Sequence, residues 1–363
     1  MNIKSLLLGS AAAMIAVSGA RAADAVVVAE PEPAQYVKIC DVYGAGYFYI
    51  PGTETCLRIG GYIRFDAGFG DGGRVLDGTT TRDQMDGGLQ QTWSKNTRFA
   101  FRTYTGQETE FGTLKTFTEL RLNYGNVQAK DSDGNITGSP AGNKAADIHF
   151  AWIQLGGLRV GKDETVYDTF IGYAGNVVQD TIIPYGLKDT NLISYYFDAG
   201  NGFTAVASLE EGSGAQTIDS YIPHVVGGVK YKGGWGAITA VGSYNSAWEE
   251  WAGKARLDIN ATKELTLFVM GGYGTDRHIA TSFYKPWTGN FAVWGGGSYL
   301  INKKTSLNAQ VSYTDAKDFA VAANVAYTIV PGYTITAEVD YYDNFDKSNS
   351  DAIGGIFRFQ RSF

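Results

Sequence analysis

The sequence predicts an all-β protein, a transmembrane antiparallel β-barrel of about 16 strands. Three observations carry that expectation. Apolar and polar residues alternate with period two in segment after segment from Cys56 to the end, and successive strand side chains point to opposite faces. The connections between segments alternate between tight turns and longer polar loops, the pattern of a membrane barrel with two unlike rims. Outside the N-terminus there is no run of about 20 apolar residues, which excludes helical spans and leaves strands.

The segments follow in order. In 57–66, Leu57, Ile59, Ile63 and Phe65 share one face, and Arg58, Tyr62, Arg64 and Asp66 the other. In 114–124, Leu114, Leu120, Leu122 and Tyr124 oppose Lys115, Glu119, Arg121 and Asn123. Residues 254–260, 306–313 and 333–342 repeat the alternation, the last setting Ile335, Ala337 and Val339 against Thr336, Glu338 and Asp340. Tight turns are expected at 199–202, 233–234, 302–304 and 330–332, and longer loops at 126–145, 275–289 and 344–351. A hairpin with both connections uses about 39 residues, so residues 56–363 hold roughly eight. Tyr124, Tyr231, Tyr273, Tyr313 and Tyr333 fall at strand ends, where amphipathic rings form the girdles at a lipid boundary. The strand Ile353 to Phe363 must pair with the first, because an open edge in lipid leaves backbone groups unsatisfied.

Composition agrees with this organisation. The 363 residues are 44% hydrophobic and 13% aromatic, too rich for intrinsic disorder. Two cysteines are too few for a disulfide scaffold. Lys4, the apolar stretch Leu6 to Val17 and Ala20-Arg21-Ala22 have the three parts of a signal peptide. Removing residues 1–22 leaves 28 basic against 37 acidic residues, a net charge of −9. That balance opposes nucleic-acid binding and raises the expectation of a weak cation preference in any pore. Export to an oxidising compartment lets Cys40 and Cys56 pair, since neither has a CxxC mate or a nearby His. Residues 23–55, with Pro31 and Pro33, read as an N-terminal extension that precedes the barrel.

The stretches Tyr36-Val37-Lys38-Ile39-Cys40, Tyr43-Gly44-Ala45-Gly46-Tyr47-Phe48-Tyr49-Ile50-Pro51-Gly52-Thr53 and Thr55-Cys56-Leu57-Arg58-Ile59-Gly60-Gly61-Tyr62-Ile63-Arg64 resemble the start of the alphaproteobacterial general porins, the Brucella-type outer-membrane porins in particular. The resemblance implies a water-filled channel for passive diffusion of small hydrophilic solutes and ions. It also implies an outer-membrane location, contact with the lipid bilayer and lipopolysaccharide, a homotrimer, and assembly by the barrel-assembly machinery through the terminal Phe363. Arg361 departs from the apolar alternation expected of that last strand. Members of the family fold the loop after the fifth strand into the channel as a constriction. Here Gly156 to Lys162 reads as the turn and fifth strand, and the segment from Asp163 to about Asn191 as that loop. Its acids Asp163, Glu164, Asp168 and Asp180 would face a basic pore wall of Arg58, Arg64, Arg98, Arg102, Lys115 and Arg121. A gap between opposite charges orients dipolar solutes and sorts ions.

Other patterns lead elsewhere. Gly156 to Lys162 matches GxxxxGK, but Asp163 follows where a P-loop needs Ser or Thr and a helix. Asp131-Ser132-Asp133-Gly134-Asn135 misplaces the glycine of a calcium loop. His149, His224 and His278 lack metal-ligand spacing, so neither metal nor cofactor is expected. The alternatives to a channel are an outer-membrane barrel enzyme, with His149 as its candidate, and a structural or adhesin barrel.

Overall fold

The computed structural model describes residues 38–71, 78–277 and 282–363. The expected signal peptide, Pro31 and Pro33 of the extension, and His278 lie outside the described residues. Sixteen strands form the wall: β1 (Cys56–Gly70), β2 (Leu89–Thr109), β3 (Gly112–Asn126), β4 (Asp147–Leu155), β5 (Leu158–Glu164), β6 (Asp189–Asp198), β7 (Phe203–Glu210), β8 (His224–Gly233), β9 (Gly236–Asn245), β10 (Glu250–Asn260), β11 (Leu265–Gly274), β12 (Phe291–Asn302), β13 (Thr305–Thr314), β14 (Asp318–Val330), β15 (Tyr333–Asn344) and β16 (Ala352–Ser362). Each pairs antiparallel with its sequence neighbours, and β16 returns to β1 from Tyr62 opposite Ser362 to Gly70 opposite Gly354. The barrel is closed. Phe363 and Gly61 exchange two backbone hydrogen bonds of 3.1 Å at the seam. Gly61 has φ +153, and a Cβ there would lie 2.1 Å from the Ala100 carbonyl oxygen, so this position needs glycine.

One rim carries short turns of two to four residues, at 110–111, 156–157, 199–202, 234–235, 261–264, 303–304 and 331–332. The other carries the longer connections, including 71–88, 127–146, 165–188, 211–223, 275–290 and 345–351. Two connections on that rim are short, 246–249 and 315–317, contrary to a strict alternation. Glu249 and Lys317 take positive φ there, 56 and 68, which closes each turn tightly. At the short-turn rim Cys40 and Cys56 form the expected disulfide, and Phe48–Tyr49 pairs with Cys56 and Leu57. Tyr43 lies against Gly106 and donates to Glu108 at 3.0 Å, so residues 39–55 fold down on β1 and β2.

Burial follows the alternation with the sense reversed from a water-soluble protein. On β15, Val339 is 56% exposed while Glu338 and Asp340 are 3% and 0% exposed. The same holds for Val311 against Gln310 and for Ile63 against Tyr62. A continuous belt of exposed Ile, Leu, Val and Phe exceeds what a soluble surface carries and matches the lipid-facing band of a membrane barrel. Tyr124, Tyr273, Trp251 and Phe291 lie exposed near the long-loop ends of their strands, and Tyr195, Tyr231, Tyr299 and Tyr327 near the short-turn ends. Tyr313 and Tyr333 are half-buried at the same levels. Arg361 sits beyond the belt, where its guanidinium donates to the Pro331 carbonyl at 3.2 Å.

A lysine in the middle of the belt has no water to reach. Val269→Lys, at an outward position midway along β11, should destabilise the refolded barrel in bilayers by about 2–4 kcal/mol, and Val269→Leu should leave it nearly unchanged. Denaturant titration by tryptophan fluorescence reads both.

Candidate functional site: the loop-filled lumen

β5 ends at Glu164, and the chain from 165 to 188 then runs across inward-facing side chains of the wall. The segment is shorter than the sequence indicated: Asp163 and Glu164 belong to β5, and Asp189 to Asn191 to β6. Thr165 caps a single helical turn, α1 (Val166–Thr169), its hydroxyl oxygen accepting from the Tyr167 amide at 3.1 Å. The same hydroxyl donates to Glu210 on β7, whose other oxygen accepts from the Val166 amide at 2.9 Å. With little regular structure beyond, the segment's polar backbone must find partners elsewhere, and the wall supplies them. Lys254 donates to the Tyr185 carbonyl at 2.8 Å, Arg256 to that of Tyr173 at 2.5 Å, Trp294 to that of Ile183 at 2.9 Å and Gln310 to that of Asp180 at 2.9 Å. Glu338 accepts the amides of Val178 and Gln179 at 2.5 and 2.7 Å. These anchors lie on β7, β10, β12, β13 and β15.

Apolar packing holds the segment as well. Val166, Tyr167, Ile171, Ile183 and Tyr185 form one buried cluster with Met270 and Trp294 of the wall. Phe283, Tyr284 and Trp287 complete it, so the connection expected at 275–289 as a longer polar loop instead packs an aromatic run inward. Tyr284 stacks edge-on against Tyr167 at 5.3 Å and donates to Glu210 at 3.0 Å. The Leu187 amide donates to the Phe283 carbonyl at 3.3 Å. The two connections therefore share one core. Its signal in the sequence was Phe283-Tyr284 and Trp287, the same aromatic density that marked the first loop.

All four expected acids are engaged. Asp163 pairs with Arg159 at 2.7 Å, and Glu164 with His149 at 3.1 Å and the Tyr173 hydroxyl. Asp168 is fully buried against Lys254 at 2.5 Å, and Asp180 accepts from the Tyr185 hydroxyl at 2.6 Å. Burial pushes the Asp168 carboxyl above its ordinary range, with Lys254 opposing the shift. Burial raises Asp180 likewise, opposed by Lys188 and Tyr185.

The six expected basic residues stand on β1, β2 and β3 and fall into different situations. Arg58 lies 4.0 Å over the Tyr104 ring and beneath Tyr47. Arg102 and Arg121 both bind Glu119. Arg64 donates to Gln360 at 2.8 Å and Arg98 to Asn123 at 2.9 Å, so the partners of both are neutral amides. Lys115 is exposed near the short-turn end of β3. Sequence reasoning missed Glu210, Lys254, Arg256, Trp294, Gln310 and Glu338, whose only signal was a polar or bulky side chain at an inward strand position.

The remaining candidates have structural roles. His224 is buried, with Nε2 3.0 Å from the Gln216 carbonyl and Nδ1 accepting from the Ser246 amide at 3.0 Å, while the Ser246 hydroxyl donates to the Ile222 carbonyl. Both ring nitrogens are thus committed to backbone. Asp131 accepts from the amides of Asp133 and Asn135, closing a surface turn on itself. Gly161-Lys162 lies in a strand, not at the head of a helix.

Comparison with known proteins agrees with this architecture. A family profile described as "Porin subfamily" matches residues 24–358. Porin Omp2b of Brucella canis and Porin Omp2b of Brucella abortus (strain 2308) are each 49% identical, over the whole of both chains. Among solved structures, the outer membrane channel DcaP of Acinetobacter baumannii covers 87% of this chain and 99% of its own at TM-score 0.59 and 14% identity. An anion-selective porin from Comamonas acidovorans covers 85% and 100% at TM-score 0.53 and 15% identity.

The buried Lys254–Asp168 pair links wall and loop. Lys254→Met should cost about 3–5 kcal/mol at neutral pH, because it leaves a carboxylate without its counter-charge. The cost should shrink as pH falls through the raised Asp168 range, since the protonated acid needs no cation. Thermal melts of refolded protein against pH check both the size and the sign.

Proposed function

The chain belongs to the porin subfamily and forms a passive outer-membrane channel, and we propose that residues 165–188 are the constriction that sets its size limit. The observation that supports this reading most is the row of wall anchors from β7 to β15, which pins the segment across the lumen of a closed barrel. Solutes small and hydrophilic enough to pass the gap between this segment and β1–β3 cross by diffusion. Ion preference in this reading does not follow from net charge. The four loop and strand acids are already paired or hydrogen-bonded, whereas Arg64 and Arg98 face the passage with neutral partners. In this reading the protein acts as a channel rather than an enzyme, and the ring nitrogens of His224 and the His149–Glu164 pair serve to hold the loops and the wall together.

A homotrimer is part of the same proposal. The outward face of β2 and β3 interrupts the apolar belt with Thr103 against Thr118 and Thr105 against Thr116, their hydroxyls 2.5 and 2.6 Å apart. Hydroxyl pairs gain nothing from lipid tails and are better placed against another protein surface. Lipopolysaccharide at the long-loop rim and recognition of the last strand by the assembly machinery complete the set of partners.

Purified protein in a planar bilayer should give large, stable conductance steps, and liposomes bearing it should swell in monosaccharides faster than in larger sugars. Absence of steps would overturn the channel. Loosening the constriction with Glu338→Ala and Gln310→Ala together should raise the swelling rate for the larger sugars; an unchanged rate would place the size limit elsewhere. Unboiled gels should show a band at three times the protomer mass that heating collapses, and a protomer band alone would overturn the trimer.

A further inference from the structure

The outward face of β11–β15 has a trough in an otherwise bulky belt. One register row across these five strands reads Leu267, Gly297, Ala309, Ala323 and Val339, so its middle three positions carry a methyl group or less. The next row toward the short-turn rim sets Tyr299, Leu307 and Val325 side by side, and the row on the other side sets Val311 beside Val321. The result is an open apolar groove of about 570 Å³ on the lipid-facing wall. Its floor is fixed by backbone, since a Cβ on Gly297 would lie 2.5 Å from the Thr266 carbonyl oxygen and 2.7 Å from Leu267 Cδ2. Five strands at the usual spacing span about 19 Å, enough to seat an acyl chain of one leaflet in a core about 30 Å thick.

Positive charge stands at the short-turn end of the same strands. Lys263 precedes Leu265, a lining residue of the groove, by two positions, and Lys304 precedes Leu307 by three, with Lys303 beside it. At the usual strand rise these lysines lie about 7 and 10 Å beyond the groove's edge. The Leu300 amide donates to the Glu264 carbonyl at 2.9 Å, which ties the first turn to the strand that leads into the second. All three lysines are exposed, and Glu264 is the one acid of the two turns. Other turns of this rim carry the opposite sign, with Glu110 after β2 and Asp198 at the end of β6.

We propose that the groove and Lys263, Lys303 and Lys304 bind one anionic phospholipid, its acyl chain in the groove and its phosphate at the lysines. Short turns mark the periplasmic side of such a barrel, so the lipid belongs to the periplasmic leaflet. The proposal goes beyond the channel reading and does not depend on where the constriction lies. A chain laid along Gly297, Ala309 and Ala323 makes the close contacts that an unfilled trough forfeits. Lysine stems run along apolar surface with their charges at the headgroup level, and basic clusters at that level select anionic lipids. The groove also stands on different strands from the β2–β3 face proposed for neighbouring protomers.

The test is native mass spectrometry of the detergent-purified barrel with phosphatidylglycerol or phosphatidylcholine added. The wild type should retain one phosphatidylglycerol per protomer in preference to phosphatidylcholine. Lys263→Ala, Lys303→Ala and Lys304→Ala together should lower that preference by about tenfold or more, the scale of three charges removed from a lipid surface. Ala309→Phe with Ala323→Phe fills the groove while keeping an apolar outer face, and should weaken retention of phosphatidylglycerol by a similar factor with the lysines intact. Lys232→Ala, on the same rim at the end of β8, should retain lipid as the wild type does, and heat-shifted gel mobility confirms that each variant has folded. Equal retention of the two lipids by the wild type, or unchanged retention of phosphatidylglycerol in either multiple variant, would overturn the site. Loss of the unboiled oligomer band in the phenylalanine variant with lipid retention unchanged would assign the groove to a second copy of the chain instead.

Discussion

In a bilayer every backbone N–H and C=O needs an internal partner, and this single constraint organises the molecule. Sixteen strands satisfy it only if the last meets the first. The seam is therefore the point on which the other features depend. Gly61 takes part in it through its backbone bonds to Phe363, while on its other side a side chain would strike the Ala100 carbonyl of β2. The backbone of Phe363 exchanges two hydrogen bonds with Gly61 there. Once the wall is closed, its outer face can carry almost nothing but apolar side chains, and the polar half of each strand is turned inward.

That inversion poses a second problem, which the lumen solves in its own way. A segment of irregular backbone placed among polar side chains could take many positions, and the wall narrows them to one. Donors from Lys254, Arg256, Trp294 and Gln310 hold its carbonyls, and two carboxylates hold its amides. Glu210 and Glu338 accept backbone amides directly, so each acts as a fixed receptor for a stretch of chain. Between those two points the aromatic residues of 165–188 and 275–290 form a small core of their own. The two loops pack together on anchors from β7 to β15, whereas the six expected basic residues stand on β1–β3.

The wall was legible in the sequence and the interior was not, for a physical reason. Period-two alternation is set by lipid on one side of each strand, so Leu57 to Asp66 or Tyr333 to Tyr342 declare both the strand and its faces. The turns at 199–202, 233–234, 302–304 and 330–332 were equally plain from glycine, asparagine and proline. Which inward residue meets which loop residue depends on contacts between positions far apart in the chain. Glu338 meets Val178 and Lys254 meets Asp168, and nothing local announces either pair. The acidic content of 163–189 was visible, but not that each acid would already have a partner. Strand ends were uncertain by two residues, enough to assign Asp163 and Glu164 to the loop when they belong to the wall.

The cystine at the short-turn rim has a consequence for the order of events in biogenesis. Its two sulfurs are separated by 16 positions, and the ring they close draws only on residues before and at the start of β1. Oxidation therefore requires nothing from the other fifteen strands. The knot can be tied on a chain that is still soluble, ahead of insertion, so the first strand reaches the membrane with its starting point already fixed. A barrel that closes by pairing its two ends then begins its search with one end already held in register.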